Sequence, residues 1–175
     1  ESGGNYNVVV GDEAGTAITT GASNVAVGAL ALDANTTGAR NTALGESAGT
    51  AVTTGLNNVA VGKDAMVALT TGSGNVAVGK EALDAITTVS HTVAIGTSAL
   101  SANTSGTSNT AVGHAALGAN TTGGENVALG YGVLDANTTA SNNTGLGYLA
   151  LSANTTGRDN TAVGFSAGTT NTTGL

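Results

Sequence analysis

Apolar and polar positions along this chain repeat as one long pattern that returns every 17 residues. The segment Asn24-Val25-Ala26-Val27-Gly28 comes back as Asn41-Thr42-Ala43-Leu44-Gly45, and again from Asn58, Asn75, Asn109, Asn126, Asn143 and Asn160. The anchoring glycines are Gly11, Gly28, Gly45, Gly62, Gly79, Gly96, Gly113, Gly130, Gly147 and Gly164, with no insertion or deletion between them. Ten repeats therefore fill residues 7–175, the last one residue short, and residues 1–6 form a lead-in. Columns are numbered from the anchoring glycine as zero. Column −3 is Val or Thr and column −1 is Val, Leu or Ile. Column −2 is Ala except at Val9 and Gly145, and column +3 is Ala except at Val133. Column +6 is Ala except at Thr170, and column +8 is Thr throughout.

A unit of 17 residues cannot pack alone, so its stability must come from stacking on its neighbours. The N-V-A-V stretch is β-branched and alternating, which predicts a strand. Helical repeats need about 33 residues or more for two helices and their turns. The pattern thus predicts an all-β chain, a parallel β-solenoid or β-roll of ten coils. Each coil is expected to hold a strand, a turn at G-x-x, a second strand at A-L-x-A and a turn at T-T-G-x-x. Column +10 is Gly except at Val89 and Ala140, where the turn is expected to differ. Alternation places columns −3 and −1 on one side of the strand and Ala of column −2 on the other. The reading puts that Ala column outward. A small apolar file on an outer wall calls for a cover, most simply another copy of the chain under closed symmetry, and a homotrimer is expected. Columns −4 (Asn, broken by Thr92) and +7 predict Asn ladders along the axis. Ile18 and Val52 in column +7 are expected to compensate for Gly15 and Gly49 in column +4, a pairing that Gly168 with Asn171 does not follow.

Composition narrows the functions. There is no Cys, Pro or Trp, so disulfides, thiolate chemistry and zinc ribbons are excluded. A net charge of −7 argues against binding nucleic acid or anionic lipid. No apolar run is long enough to span a membrane, and Glu1-Ser2-Gly3-Gly4 lacks the basic and apolar regions of a signal peptide. Apart from Glu1, the charges fall in columns +1, +2, +5, +11 and +12. The four aromatics and both histidines fall in +1 or +12, and are therefore expected to point outward.

Units such as Asn160-Thr161-Ala162-Val163-Gly164 with Asn154-Thr155-Thr156-Gly157 resemble the N-T-A-V-G…N-T-T-G repeats of phage tail-fibre-like and bacterial surface proteins. The V-A-[VI]-G strand is similar to the repeats of trimeric autotransporter adhesin heads, which are trimers of left-handed parallel β-rolls. The resemblance implies an extracellular, cell-surface or virion-borne trimeric fibre that supports or presents a binding tip.

Catalytic chemistry finds little support. His91 and His114 lie in different turn columns, and no G-x-S-x-G, H-E-x-x-H or P-loop pattern is present. Asp33, Asp84 and Asp135 share column +5 but stand three coils apart, about 14 Å by strand spacing, too far for one ion. Neither enzyme activity, nor a metal, nor a cofactor is expected. Pairs such as Lys63-Asp64 and Lys80-Glu81 read as solvated turn charges. Asn35, Asn103, Asn120, Asn137, Asn154 and Asn171 head formal glycosylation sequons but read more simply as a repeated turn. The candidate contact surface is the column +1 run of His114, Tyr131, Tyr148 and Phe165, an aromatic stripe suited to a host-surface glycan or receptor. The chain ends within a repeat at Leu175, so further chain or end-to-end stacking is expected. The leading expectation is a structural fibre or adhesin segment. The alternative is an ice-binding solenoid using Thr columns +8 and +9.

Overall fold

The computed structural model describes residues 5–174. The repeating V-A-V or T-A-V triplet forms one three-residue strand per lap: β1 (Val8–Val10), β2 (Val25–Val27), β3 (Thr42–Leu44), β4 (Val59–Val61), β5 (Val76–Val78), β6 (Val93–Ile95), β7 (Thr110–Val112), β8 (Val127–Leu129), β9 (Thr144–Leu146) and β10 (Thr161–Val163). All ten pair in parallel in sequence order, each residue opposite its equivalent 17 positions on. The molecule is a parallel β-solenoid with a coil of 17 residues. At a strand spacing of about 4.8 Å its length is about 45 Å. Asn5 joins the stack, since its carbonyl accepts from the Ser23 N–H at 2.6 Å. Residues 1–4 of the lead-in lie outside the described residues.

The second strand expected at A-L-x-A does not form; that stretch is a run of turns. Columns +2 and +4 take left-handed backbone angles even where the residue is not glycine, as at Glu81 (φ 57°) and Leu83 (φ 52°). Alternating left-handed residues curl the chain too tightly for an extended strand. The strain is offset by what the curl buries. Leu32, Leu83, Leu100, Leu117, Leu134 and Leu151 of column +4 all point into the core. Each contributes about 1.5–3 kcal/mol by leaving water.

The strand faces are the reverse of expectation. Ala26, Ala43, Ala77, Ala94, Ala111 and Ala128 of column −2 are buried, while the residues of columns −3 and −1 are half-buried or exposed. The physical reason is volume. Leucines of column +4 and alanines of column +3 already fill the lap, leaving room only for a methyl from the strand.

The exceptions in the interior columns confirm this close packing. Gly145 replaces Ala in column −2 where Val133 replaces Ala in column +3, and a Cβ on Gly145 would strike Val133 Cγ1. One larger and one smaller residue thus keep the volume constant. Gly15 answers Ile18 in the same way, since a Cβ there would lie 2.9 Å from Ile18 Cδ1. At Gly49 the space is filled by Leu32 and Val52, and at Gly168 by Leu151 from the preceding coil.

The invariant glycine of column 0 is set by both conformation and contact. At Gly62 φ is +128°, and a Cβ would sit 2.6 Å from the carbonyl oxygen of Gly79 in the next coil. Only a residue without a side chain allows the stacking distance there.

Asn side chains close each lap. Asn24 Nδ2 donates to Gly38 O at 2.8 Å, tying the start of a coil to its own last turn. Its Oδ1 accepts the Asn41 N–H of the next coil at 2.9 Å. The same pair of bonds recurs at Asn41 and Asn58.

Candidate interaction surface

Two features stand on the surface. The first is the outer face of the sheet. Because Ala faces inward, columns −3 and −1 form two parallel files of Val, Thr, Leu and Ile along the rod. Leu44, Ile95, Val127, Leu129, Leu146 and Val163 are among its exposed members. The files lie about 6.6 Å apart along a strand, with a rank every 4.8 Å or so. No charged side chain interrupts them in any repeat. This face was not identified from sequence as the exposed one. The available signal was constancy: column −2 stays small, while −3 and −1 vary in size and polarity, and a packed interior tolerates variation least.

The second feature is the aromatic stripe. Tyr131 and Tyr148 are about half exposed, and Phe165 is 79% exposed. The rings form a continuous ladder. Centroid distances are 5.1 Å for His114–Tyr131, 5.3 Å for Tyr131–Tyr148 and 5.2 Å for Tyr148–Phe165, with interplanar angles of 9°, 12° and 7°. All four predicted contact residues are thus brought together by one column of one turn. The faces of Tyr131 and Tyr148 lie against each other and their neighbours, which leaves their edges and hydroxyls to solvent. A sugar stacks on ring faces, so the inner rungs offer it no platform.

The other marked residues are dispersed. His91 lies against Gly74, whose Cβ would be 3.2 Å from the ring, and is not part of the ladder. Among the described residues no group of three His, Asp or Glu side chains gathers as a metal would require. Lys63 Nζ meets Glu46 Oε1 at 2.6 Å and Lys80 Nζ meets Glu81 Oε1 at 2.9 Å, both exposed. The hydrogen bond to Glu46 raises the Lys63 pKa. Thr16 donates to Asp33 across one coil step. Burial raises the carboxyl pKa of Asp84 and of Asp135 above the usual 3.8, and Asp84 Oδ1 has no partner.

The sequon asparagines are interior except Asn171, which is half-buried in the last coil. Asn35, Asn103, Asn120, Asn137 and Asn154 are buried, and each Nδ2 donates to the carbonyl three residues on, as from Asn103 to Gly106 at 2.8 Å. The hydroxyls of column +8 are also engaged. Thr53 donates to Thr70 O at 3.1 Å, Thr70 to Thr87 O at 2.9 Å, and Thr121 to Thr138 O at 2.9 Å. They tie successive coils together, and the column +9 residues beside them, such as Thr54, Thr71 and Thr88, are exposed. A shallow polar hollow of about 260 Å³, lined by Thr139, Ala140, Ser141, Asn142, Thr156 and Arg158, marks the coil in which Ala replaces Gly in column +10.

No helix among the described residues is long and apolar enough to cross a membrane. Comparison with family models, with curated proteins and with solved structures finds no match to this chain.

Proposed function

We propose that the chain is a structural rod segment of a homo-oligomeric fibre, with no catalysis, in which the two apolar files of columns −3 and −1 are covered by other copies. The observation that carries this reading is the outer sheet face, which no charge interrupts and whose only polar members are the threonines of column −3. A contiguous apolar surface of this kind marks an interaction site on a soluble molecule. Its irregular bulk, with Leu44, Ile95, Leu129 and Leu146 among valines and threonines, suits interlocking side chains better than a flat lattice. Closed cyclic symmetry is the usual way to bury one face of each copy. The resemblance to adhesin heads favours three copies, displayed outside the cell or on a virion. The aromatic ladder then stands at the rim, available to a receptor through ring edges and hydroxyls.

The alternative is ice binding by Thr columns +8 and +9, whose column +9 members such as Thr54, Thr71 and Thr88 are exposed along one flank. Sedimentation equilibrium separates the readings. A fibre segment has a native mass that is a multiple of 16.5 kDa, a Val59→Asp, Val76→Asp variant dissociates, and neither solution shows thermal hysteresis. A monomer with thermal hysteresis overturns the fibre reading.

A further inference from the structure

Coils 5 (residues 75–91) and 6 (residues 92–108) are zipped along the strand and the turns that follow it, as far as the Leu83 N–H, which donates to Ala99 O at 3.1 Å. There, Val76 N–H donates to Thr92 O at 2.9 Å, Gly96 N–H to Val78 O at 2.7 Å and Ser98 N–H to Lys80 O at 2.9 Å. On the opposite flank, two bonds hold the other neighbouring coils. The column +8 amide donates to the next coil's column +8 carbonyl, as from Thr70 to Thr87 at 2.7 Å and Thr104 to Thr121 at 2.9 Å. The column +12 amide donates back to the preceding coil's column +11 carbonyl, as from His91 to Ser73 at 3.1 Å and Glu125 to Thr107 at 3.0 Å. Among the described residues, both bonds are missing only between coils 5 and 6, at Thr87 with Thr104 and at Ser108 with Ser90.

The sequence exceptions of this region account for the gap. Column +10 is where a Cβ meets the backbone of the coil above; at Gly38 it would lie 2.6 Å from Gly55 O. Coil 5 carries Val89 there. The effect is graded with side-chain size. Coils with Gly in column +10 make the Thr-to-Thr bond at 2.7–3.0 Å. The coil with Ala140 stretches it to 3.3 Å, from Thr138 to Thr155. The coil with Val89 has none. Thr92 adds to the fault. It replaces the lap-closing Asn, its buried Oγ1 has no partner, and the Asn109 N–H loses the side-chain acceptor that Asn126 finds in Asn109 at 3.0 Å.

We infer that Val89 is a wedge, making the interface of coils 5 and 6 a one-sided hinge about which the rod opens and bends as two blocks, residues 5–91 and 92–174. The continuous sheet is its leaf and the T-T-G-x-x flank its mouth. Repeat rods open where a neighbour interface is weakest. This inference does not depend on the fibre reading.

Native-state hydrogen exchange of the full chain, read by mass spectrometry, tests it. Peptides covering residues 85–92 and 104–109 should exchange at least about tenfold faster than their equivalents at 51–58 and 121–126. Val89→Gly, which restores the commonest residue of the column, should bring them to the level of their neighbours. Ala140→Val should create a second fast segment around residues 138–142 and 155–159. Uniform exchange along the rod, or a Val89→Gly variant with the parent's pattern, overturns the inference.

Discussion

Coils 1–5 and coils 6–10 share one backbone but are built from different materials. In the first half, column +7 is Ile18, Asn35, Val52, Leu69 and Ile86; in the second it is Asn throughout. On the surface, column +1 carries Asp12, Glu46, Lys63 and Lys80 in the first half, and His114, Tyr131, Tyr148 and Phe165 in the second. The Asn half is joined internally by Asn120 to Asn103 and Asn137 to Asn120, at 3.3 and 3.1 Å. The aliphatic half is joined by packing around Leu69 and Ile86. The fold is therefore specified by the columns that both halves share, the glycine of column 0, Ala of −2, Asn of −4 and Thr of +8. Columns +1 and +7 vary in chemistry, with Asn35 standing between Ile18 and Val52.

If that division is right, a lesion in a shared column should be equally severe in both halves. Gly62→Ala and Gly113→Ala both force a left-handed Cβ into the next coil, and each should cost about 3 kcal/mol or more in denaturant unfolding. A marked difference between them breaks the comparison.

Exchange of column +7 comes next. Leu69→Asn puts an amide between Val52 and Ile86, and Asn120→Leu removes the side-chain bonds it shares with Asn103 and Asn137. Each should lose about 2 kcal/mol, whereas Ile86→Leu should be nearly neutral. Equal tolerance of Asn and Leu in both halves would show that the material of the column is immaterial.

Surface changes rank lower. Tyr131→Thr interrupts the ladder between His114 and Tyr148 and should cost about 1 kcal/mol or less. Lys63→Thr in the other half should lose its small effect in high salt, because its partner Glu46 is exposed. The smallest effect is on pH dependence. Burial raises the folded pKa of Asp84 above its unfolded value. Ionisation therefore opposes folding, so this group's stabilising share is full below pH about 4 and is lost as pH rises through the folded pKa. Asp84→Asn should raise the melting temperature at pH 7 and leave it little changed at pH 3. A gain of the same size at both pH values contradicts the desolvation argument.

Much of this was legible in the residues. The period fixed the coil and the parallel in-register stack, and the Asn ladders and outward aromatics followed from column chemistry. The second strand was not legible, because left-handed angles at leucines such as Leu83 and Leu100 defy ordinary preference and are imposed by the tight lap. The inner face of the strand was not legible either, because alternation shows that two sides differ, not which one is inside. The interior had already been filled by column +4, a fact of three-dimensional volume. Likewise Val89 and Ala140 were visible as exceptions in column +10, but the opening they cause depends on a contact between coils.

The proposal that other copies cover the apolar face is tested most directly by single-cysteine accessibility, since the chain has no cysteine of its own. Val61→Cys places a thiol on the outer sheet face, and Thr54→Cys places one on an exposed turn away from it. Under native conditions, a thiol reagent should modify the Thr54→Cys protein quickly and the Val61→Cys protein at least about tenfold more slowly, with the two rates converging on denaturation. Equal rates in the native state would mean that the apolar files lie bare, and would contradict the account.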